Sequence, residues 1–267
     1  MAVTVVYGQS NVVYGPNVIG VIKVDLPANQ MQIIAPSLNP LNSGSNNPTM
    51  TLDQVLGTNQ LTAFYDPLNA DNVFLWNGTD YLSAWLADDG WDDPGGVDWK
   101  WVYYDPSSGM PVPCADNPAY DIKVGQGLWL LHRNTATTIY LSGEIPQAAV
   151  ITNKLAAGMT MAANPYPVTR TLDQLIGPSI TGTTAYYDPL NADNVFLWTG
   201  SGYLSAWLAD DGWGDPGGLD WKWLYYDPVS GAPALCATNS LFNLKPGQGL
   251  WYKARGSTFN WPIARPY

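Results

Sequence analysis

The chain has 267 residues, and its 11 basic and 22 acidic side chains give it a formal net charge of −11. The 13% aromatic content excludes a disordered acidic chain, because such chains lack aromatic residues. The acidic balance argues against nucleic-acid binding, which needs a basic surface. No apolar run reaches about 18 residues, so no transmembrane segment is predicted.

The composition predicts an all-β protein. Of the 22 acidic residues, 21 are Asp and only Glu144 is Glu, and Asp favours turns over helices. The 26 Gly and 22 Pro residues interrupt helices further. Only 12% of the residues are charged, and the chain has a single His. Together these features are typical of an extracellular or virion-type surface protein.

The first residues of the chain form an uncharged segment of strong β-formers. Two interpretations are open. The segment packs on the first domain as an edge strand, or it adds to the sheet edge of a neighbouring subunit and builds a polymer of identical copies. An open head-to-tail contact of the second kind produces fibres. The contact residues predicted for this segment are Val5, Tyr7, Val13 and Tyr14.

A duplication organises the rest of the chain. Residues 62–106 and 184–228 are identical at 38 of 45 positions, at a constant offset of 122. A repeat of this length is a whole domain and not the unit of a solenoid. We therefore predict an N-terminal strand segment at 1–18 and β-domains at 19–146 and 147–267. The predicted fold is two tandem duplicated β-sandwich-like domains with one short helix each.

Turn residues divide each copy into short strands. Asn77-Gly78 between two apolar runs is a strong hairpin signal. In the first copy the predicted strands are 72–76, 81–86, 99–104 and 124–131.

One short helix is predicted in each copy. Thr51 and Gln54 form a capping-box pattern, and Gly57 ends the helix. The same pattern recurs at 171–174.

An acidic loop is the best candidate for a functional site in each copy. It reads DDGWDDPGGVD at 88–98 and DDGWGDPGGLD at 210–220. Carboxylates this close together are either solvated or hold a cation, and Ca²⁺ takes about six to eight oxygen ligands. The alternative is ordinary turn chemistry, in which Asp side chains accept hydrogen bonds from nearby backbone. The candidate metal ligands are Asp88, Asp89, Asp93, Asp98, Asp210, Asp211, Asp215 and Asp220.

Tryptophan is abundant, with 13 residues, and most of them are expected in the core. Trp91 and Trp213 lie inside the acidic loops, and we expect them to be exposed. An exposed aromatic ring beside Asp residues suits stacking on a sugar or anchoring of a neighbouring subunit.

Few residues could support catalysis. The single histidine, His132, has Ala254 at the equivalent position of the second copy. We interpret it as a surface or strand-end residue beside Arg133. No metalloprotease, nucleotide-binding or CxxC motif is present. We therefore predict that the protein is not an enzyme.

The two cysteines, Cys114 and Cys236, occupy equivalent positions. We predict a buried free thiol in each domain, and an intermolecular disulfide is the alternative.

Three segments resemble known sequences. They are GMTMAANPYP at 158–167, KPGQGLWYKARG at 245–256 and VGQGLWLLHR at 124–133. They resemble strands of uncharacterised β-domains in large secreted and cell-surface proteins of bacteria. That resemblance implies an extracellular location and no particular activity.

Two functions are compatible with these features. The first is a non-enzymatic extracellular structural protein that self-assembles into a filament, tube or surface layer. The alternative is a calcium-dependent carbohydrate-binding module or adhesin, for which Ca²⁺ is the cofactor and glycans are the partners.

Overall fold

The computed structural model describes residues 18–41, 43, 47–91, 96–177, 180–212 and 218–267. These residues form two similar halves, each with a two-stranded sheet, a six-stranded antiparallel sheet and a short helix. The predicted fold class, two duplicated β-rich domains, is confirmed. Residues 1–17 lie outside the described residues, so the extra N-terminal strand stays a prediction. Among the described residues, no helix has the length and apolar character to cross a membrane.

The first half runs from residue 19 to residue 144. Its strands are β1 (Ile19–Leu26), β2 (Gln30–Ile34), β3 (Asn72–Trp76), β4 (Tyr81–Ala87), β5 (Lys100–Tyr104), β6 (Pro111–Pro113), β7 (Leu128–His132) and β8 (Thr137–Glu144), and its helix is α1 (Leu52–Leu56). Two 3-10 turns follow β6, at Cys114–Asp116 and Pro118–Tyr120. Strand β1 pairs with β8, and the six-stranded sheet has the order β2-β7-β3-β4-β5-β6.

The second half repeats this topology from residue 150 to residue 264. Its strands are β9 (Val150–Leu155), β10 (Gly158–Ala163), β11 (Asn194–Trp198), β12 (Tyr203–Ala209), β13 (Lys222–Tyr226), β14 (Pro233–Leu235), β15 (Gly249–Ala254) and β16 (Phe259–Ala264), and its helix is α2 (Leu172–Leu175). The 3-10 turns recur at Cys236–Thr238 and Ser240–Phe242. Strand β9 pairs with β16, and the larger sheet has the order β10-β15-β11-β12-β13-β14.

The predicted turn and helix-cap residues make the hydrogen bonds that the sequence leads us to expect. The Asn77 side-chain oxygen Oδ1 accepts the backbone N–H groups of Thr79 and Asp80, each at 2.9 Å, and so closes the hairpin between β3 and β4. At the start of α1, Thr51 and Gln54 each accept a hydrogen bond from the backbone N–H of the other. The second helix has the same reciprocal cap.

Strand β7 begins later than predicted. The expected strand at 124–131 starts only at Leu128. The backbone of Gly125 is in the left-handed region, with φ of 82°, and this breaks the strand. The Gly125 carbonyl instead accepts the N–H of Ala163 in the other half at 2.8 Å.

The main core is one cluster of buried residues from both halves, and each half contributes residues of its larger sheet, its helix and its two-stranded sheet. Alternate residues of β1 face this core, because successive side chains of a strand point to opposite sides. Trp101 of β5 is fully buried, and its indole N–H donates to the Gly57 carbonyl at the end of α1. The equivalent Trp223 donates to the Ile176 carbonyl at 2.9 Å. These bonds connect each helix to its sheet.

The two halves are joined by reciprocal hydrogen bonds. The indole N–H of Trp76 donates to the Met159 carbonyl of β10 at 2.9 Å. The equivalent Trp198 donates to the Met31 carbonyl of β2 at 2.7 Å. Each half therefore supplies a donor to the edge strand of the other, which relates the halves by a pseudo-twofold axis.

Aromatic rings pack around the same junction. Trp76 lies edge-on to Trp251 with ring centroids 5.6 Å apart, and Trp198 lies edge-on to Trp129 at 5.4 Å. The buried members of this cluster come from both halves, so neither half could bury it alone. They are Ile33, Trp129, Met161 and Trp251.

The outer edge strands of both larger sheets contain proline. Pro111 and Pro113 lie in β6, and Pro233 lies in β14. Proline has no backbone N–H to donate, which suits a strand at the edge of a sheet.

Candidate functional site

The acidic loops follow β4 and β12. The backbone N–H of Asp89 donates to a carboxylate oxygen of Asp98 at 2.7 Å, and this bond ties the two ends of the first loop together. In the second loop, the N–H of Asp211 donates to Asp220 at 2.9 Å. The loops therefore have the same closure in both halves.

Further turn bonds shape the start of each loop. Asp88 accepts the N–H of Gly90 at 2.9 Å, and Asp210 accepts the N–H of Gly212 at 2.8 Å. These are the bonds of ordinary Asp turns. A carboxylate has lone pairs for several partners, so these bonds do not prevent the same groups from holding a cation.

The second loop brings three carboxylates together. One carboxylate oxygen each from Asp210, Asp211 and Asp220 lie within 4.8 Å of one another. Such a set could hold a metal ion, and hard oxygen ligands favour Ca²⁺. Asp93 and Asp215 lie outside the described residues.

A cavity of about 280 Å³ lies against the first acidic loop. Its lining includes Tyr65, Trp85, Asp89, Gly96, Val97 and Met110, and the Asp89 carboxylate accepts the N–H of Trp91 at 3.0 Å. Trp91, one residue along the loop from Gly90, is 80% exposed, and Tyr65 is 65% exposed. Trp213 lies outside the described residues. The first loop thus combines exposed rings, a carboxylate and a concave surface.

Trp85 and Trp207, at equivalent positions of the two halves, each have a buried indole N–H group that makes no hydrogen bond among the described residues. An unsatisfied buried donor costs about 1–3 kcal/mol and is rare. The same unsatisfied donor occurs at equivalent positions of both halves.

Of the two predicted positions for His132, surface or strand end, the strand end is correct and the surface is not. It lies at the end of β7 but is buried, and its Nδ1 is 2.9 Å from a carboxylate oxygen of Asp71. Its Nε2 is 2.7 Å from the Thr135 carbonyl. Both ring nitrogens are used within the core, so the role of His132 is structural.

The cysteines are buried and free in both halves, as predicted. Burial raises the pKa of the Cys114 thiol, and the neighbouring Asp53 carboxylate raises it further. Cys236 has the same environment beside Asp173. Their burial argues against the intermolecular disulfide.

The structure does not test the contact residues predicted in the N-terminal segment. Val5, Tyr7, Val13 and Tyr14 all lie outside the described residues.

The sequence did not predict the cavity wall, because its residues come from separate strands and loops. Tyr65 precedes β3, Trp85 lies in β4, and Met110 precedes β6. One feature of the sequence could have indicated these residues. Segments 62–106 and 184–228 are nearly identical at exposed positions as well as at core positions. The exposed Tyr65, for example, recurs as the exposed Tyr187.

The chain matches no protein-family model, no curated protein and no solved structure.

Proposed function

We propose that the protein is a non-enzymatic extracellular protein that binds carbohydrate in a calcium-dependent manner, with one site on each half. The observation that supports this most is the close set of carboxylate oxygens from Asp210, Asp211 and Asp220. At the equivalent loop of the first half, the aromatic-walled cavity includes the Asp89 carboxylate. Tyr65, Trp85 and Asp89 recur in the second half as Tyr187, Trp207 and Asp211.

Sugars present two kinds of surface, and this arrangement suits both. The apolar face of a sugar ring stacks on an aromatic ring, and the exposed rings of Tyr65 and Trp91 supply such faces. Sugar hydroxyls donate to carboxylates and can coordinate Ca²⁺, which accepts oxygen ligands from water and ligand as well as from protein. The Asp89 carboxylate supplies the polar contact within the cavity.

The charge of the loops defines the sugar class. Each loop holds one ammonium group, since Lys100 donates to the Gly96 carbonyl and Lys222 to the Gly218 carbonyl, but neither loop itself contains a basic residue and the whole chain carries a net charge of −11. Acidic sugars would be repelled by this surface. We therefore expect the ligand to be a neutral glycan.

A glycan array probed in millimolar Ca²⁺ and again in excess EDTA tests the proposal. We expect binding of neutral glycans that EDTA abolishes. Asp211→Asn should remove the site of the second half, and Asp89→Asn that of the first. Asp25→Asn, on β1 and outside the loops, is the matched control. Glycan binding that persists in EDTA, or the absence of any glycan ligand, would contradict the proposal.

Thermal denaturation tests the metal alone. A ligand that binds only the native state raises the melting temperature as its concentration exceeds its Kd. Ca²⁺ should therefore raise the melting temperature of the native chain but not that of the Asp89→Asn/Asp211→Asn double variant. Equal melting curves in Ca²⁺ and EDTA would exclude the metal site.

Self-assembly into a filament, tube or surface layer stays a prediction. One described feature favours it: the outer face of β1 and β8 carries exposed apolar side chains. Ile19 is 62% exposed, Val21 50% and Tyr140 54%. A neighbouring copy could cover them. Electron microscopy of the full chain and of a chain lacking residues 2–14 tests it, because only the full chain should form polymers.

A further inference from the structure

A groove of about 510 Å³ opens in the first half where β4 and β5 diverge. The two strands pair only from Trp85 to Ala87, opposite Lys100 to Val102. Beyond that point the hydroxyl of Tyr120 reaches across and donates to the Ser83 carbonyl at 3.2 Å. The groove therefore lies beside a stretch of β4 that β5 does not cover.

Tyrosine and proline dominate the groove. Tyr81 and Tyr104 are 46% and 53% exposed, and Pro67 and Pro106 lie beside them in the lining. None of the lining residues is charged. The surface thus offers flat rings and few charges to a ligand.

Two polar side chains of the groove are hydrogen-bonded within the protein. The Asn72 side-chain oxygen accepts from the Arg133 guanidinium at 3.3 Å. The Asn117 side-chain oxygen accepts the N–H of Ala119 at 3.0 Å. A sugar needs many polar partners for its hydroxyls, and these two side-chain oxygens are already engaged. Proline rings need only the aromatic faces.

Aspartates are the chain neighbours of several residues that line this uncharged floor. Six Asp residues are direct sequence neighbours of lining residues; Asp71 is buried, and among the other five, hydrogen bonds from Ser107 and Ser108 lower the pKa of Asp105 to about 2. All five are exposed or half-buried. They are Asp66, Asp80, Asp105, Asp116 and Asp121. A ligand with basic side chains would therefore be attracted to the rim.

We infer that this groove binds a proline-rich peptide segment of a partner protein that also carries Arg or Lys residues. Proline-rich segments are already extended before binding, so they lose little conformational entropy when they dock on aromatic grooves. The prolines would pack on Tyr81 and Tyr104, and the basic side chains would face the carboxylates of the rim.

The second half provides an internal control. Of the 14 lining residues, 12 are identical there, and the exceptions are Leu241 and Phe242. The rim differs more: Asp80, Asp116 and Asp121 are replaced by Gly202, Thr238 and Asn243. A basic peptide should therefore bind the first half more tightly than the second.

Fluorescence anisotropy of labelled synthetic peptides, titrated with the full-length protein, tests the inference. The probes are a proline-rich peptide with Arg, the same peptide with Arg replaced by Ser, and one with Pro replaced by Ala. We expect the first to bind about tenfold or more tighter than either control, with affinity that falls as salt increases.

Variants locate the site. Tyr104→Ala should weaken the tight binding about tenfold, as loss of a central aromatic contact does. Its counterpart Tyr226→Ala should leave that binding unchanged. The triple variant Asp80→Asn/Asp116→Asn/Asp121→Asn changes only the rim, and it should reduce both the affinity and the salt dependence. Melting temperatures confirm that each variant is folded.

Three results would overturn the inference. They are equal affinity for all three peptides, equal effects of the two Tyr variants, and competition by a neutral polysaccharide for the same groove, which would assign it to a glycan. Peptide binding should be unaffected by EDTA. Failure of the calcium-dependent glycan proposal and failure of this inference are therefore distinguishable.

Discussion

The Asp71 carboxylate and the His132 imidazole lie 2.9 Å apart in the core of the first half. In the second half the equivalent Asp193 accepts instead from the Tyr252 hydroxyl at 2.7 Å. Both carboxylates are fully buried. A buried carboxylate needs hydrogen-bond donors. Each of these accepts two equivalent backbone N–H groups, from Thr62 and Arg133 or from Thr184 and Arg255, and the halves differ in the side-chain donor.

The two donors do not occupy equivalent positions. At offset 122, His132 corresponds to Ala254, and Tyr252 corresponds to Leu130. Residues two apart on a strand point to the same face. Either position can therefore reach the carboxylate, and the other position then holds an apolar residue.

The different side-chain donors of the two halves predict that a second substitution can restore the stability lost by the first. His132→Ala should destabilise the protein by about 1–3 kcal/mol, because it removes one hydrogen-bond partner of a buried carboxylate. The double variant Leu130→Tyr/His132→Ala, which gives the first half the donor of the second, should recover most of that loss. Urea denaturation followed by tryptophan fluorescence measures both changes.

The reciprocal variants are the control. Tyr252→Leu should destabilise the second half, and Tyr252→Leu/Ala254→His should restore it. If the double variants are no more stable than the single ones, then the donor to the buried carboxylate does not account for the difference between the halves.

The thiols should be unreactive in the native protein. Burial first, and the nearby Asp53 and Asp173 carboxylates second, raise the pKa of Cys114 and Cys236. Since the thiolate is the reactive form, a thiol reagent such as DTNB should modify neither at mildly alkaline pH. In guanidinium chloride both should react. Rapid modification of the native protein would contradict this.

Stability should fall as the pH rises into the alkaline range. Burial raises the pKa of Tyr120 to about 12, whereas an unfolded tyrosine ionises near about 10. A raised native pKa stabilises the protein below the unfolded value, and that stabilisation is lost as the pH rises towards the native value. Between these values the unfolded chain binds fewer protons than the native chain.

Urea denaturation at increasing pH measures this slope. Tyr120→Phe, which copies Phe242 of the second half, should flatten it between about pH 10 and 12. Tyr140→Phe, at an exposed position of β8, is the matched control and should leave the slope unchanged. A slope unaffected by the Tyr120 variant would show that its buried hydroxyl is not the cause.

The tryptophan junction should couple unfolding of the halves. Trp76→Phe and Trp198→Phe each keep an aromatic ring but remove one hydrogen bond, at a cost of about 1 kcal/mol. The double variant should separate calorimetric unfolding into two transitions. Trp91→Phe, on the exposed loop, is the control. A single unchanged transition in the double variant would mean that other contacts couple the halves.

Local signals made part of the fold predictable. Thr51 and Asn77 act on backbone groups within three residues, so their effects can be read directly from neighbouring letters. The duplication was also predictable, because comparing the sequence with itself shows the constant offset of 122 without any knowledge of the fold.

Long-range partners could not be predicted in this way. His132 is 61 residues from Asp71, and Trp76 is 83 residues from Met159. These pairs form because the strands and halves pack, and no spacing rule connects them beforehand. At the candidate site, the Asp turns were accessible to sequence reasoning, whereas the cavity wall of Tyr65, Trp85 and Met110 was not.

The reciprocal junction and the proline-containing outer strands leave the larger sheets few places for a foreign strand to add. On the inner side, carbonyls of β2 and β10 already accept from Trp198 and Trp76. On the outer side, the prolines of β6 and β14 cannot donate to an incoming chain. Because β16 also contains a proline, Pro262, any polymer built by strand exchange would have to grow through β1, β8 or β9, and the large sheets would pass unchanged from the free subunit into the fibre.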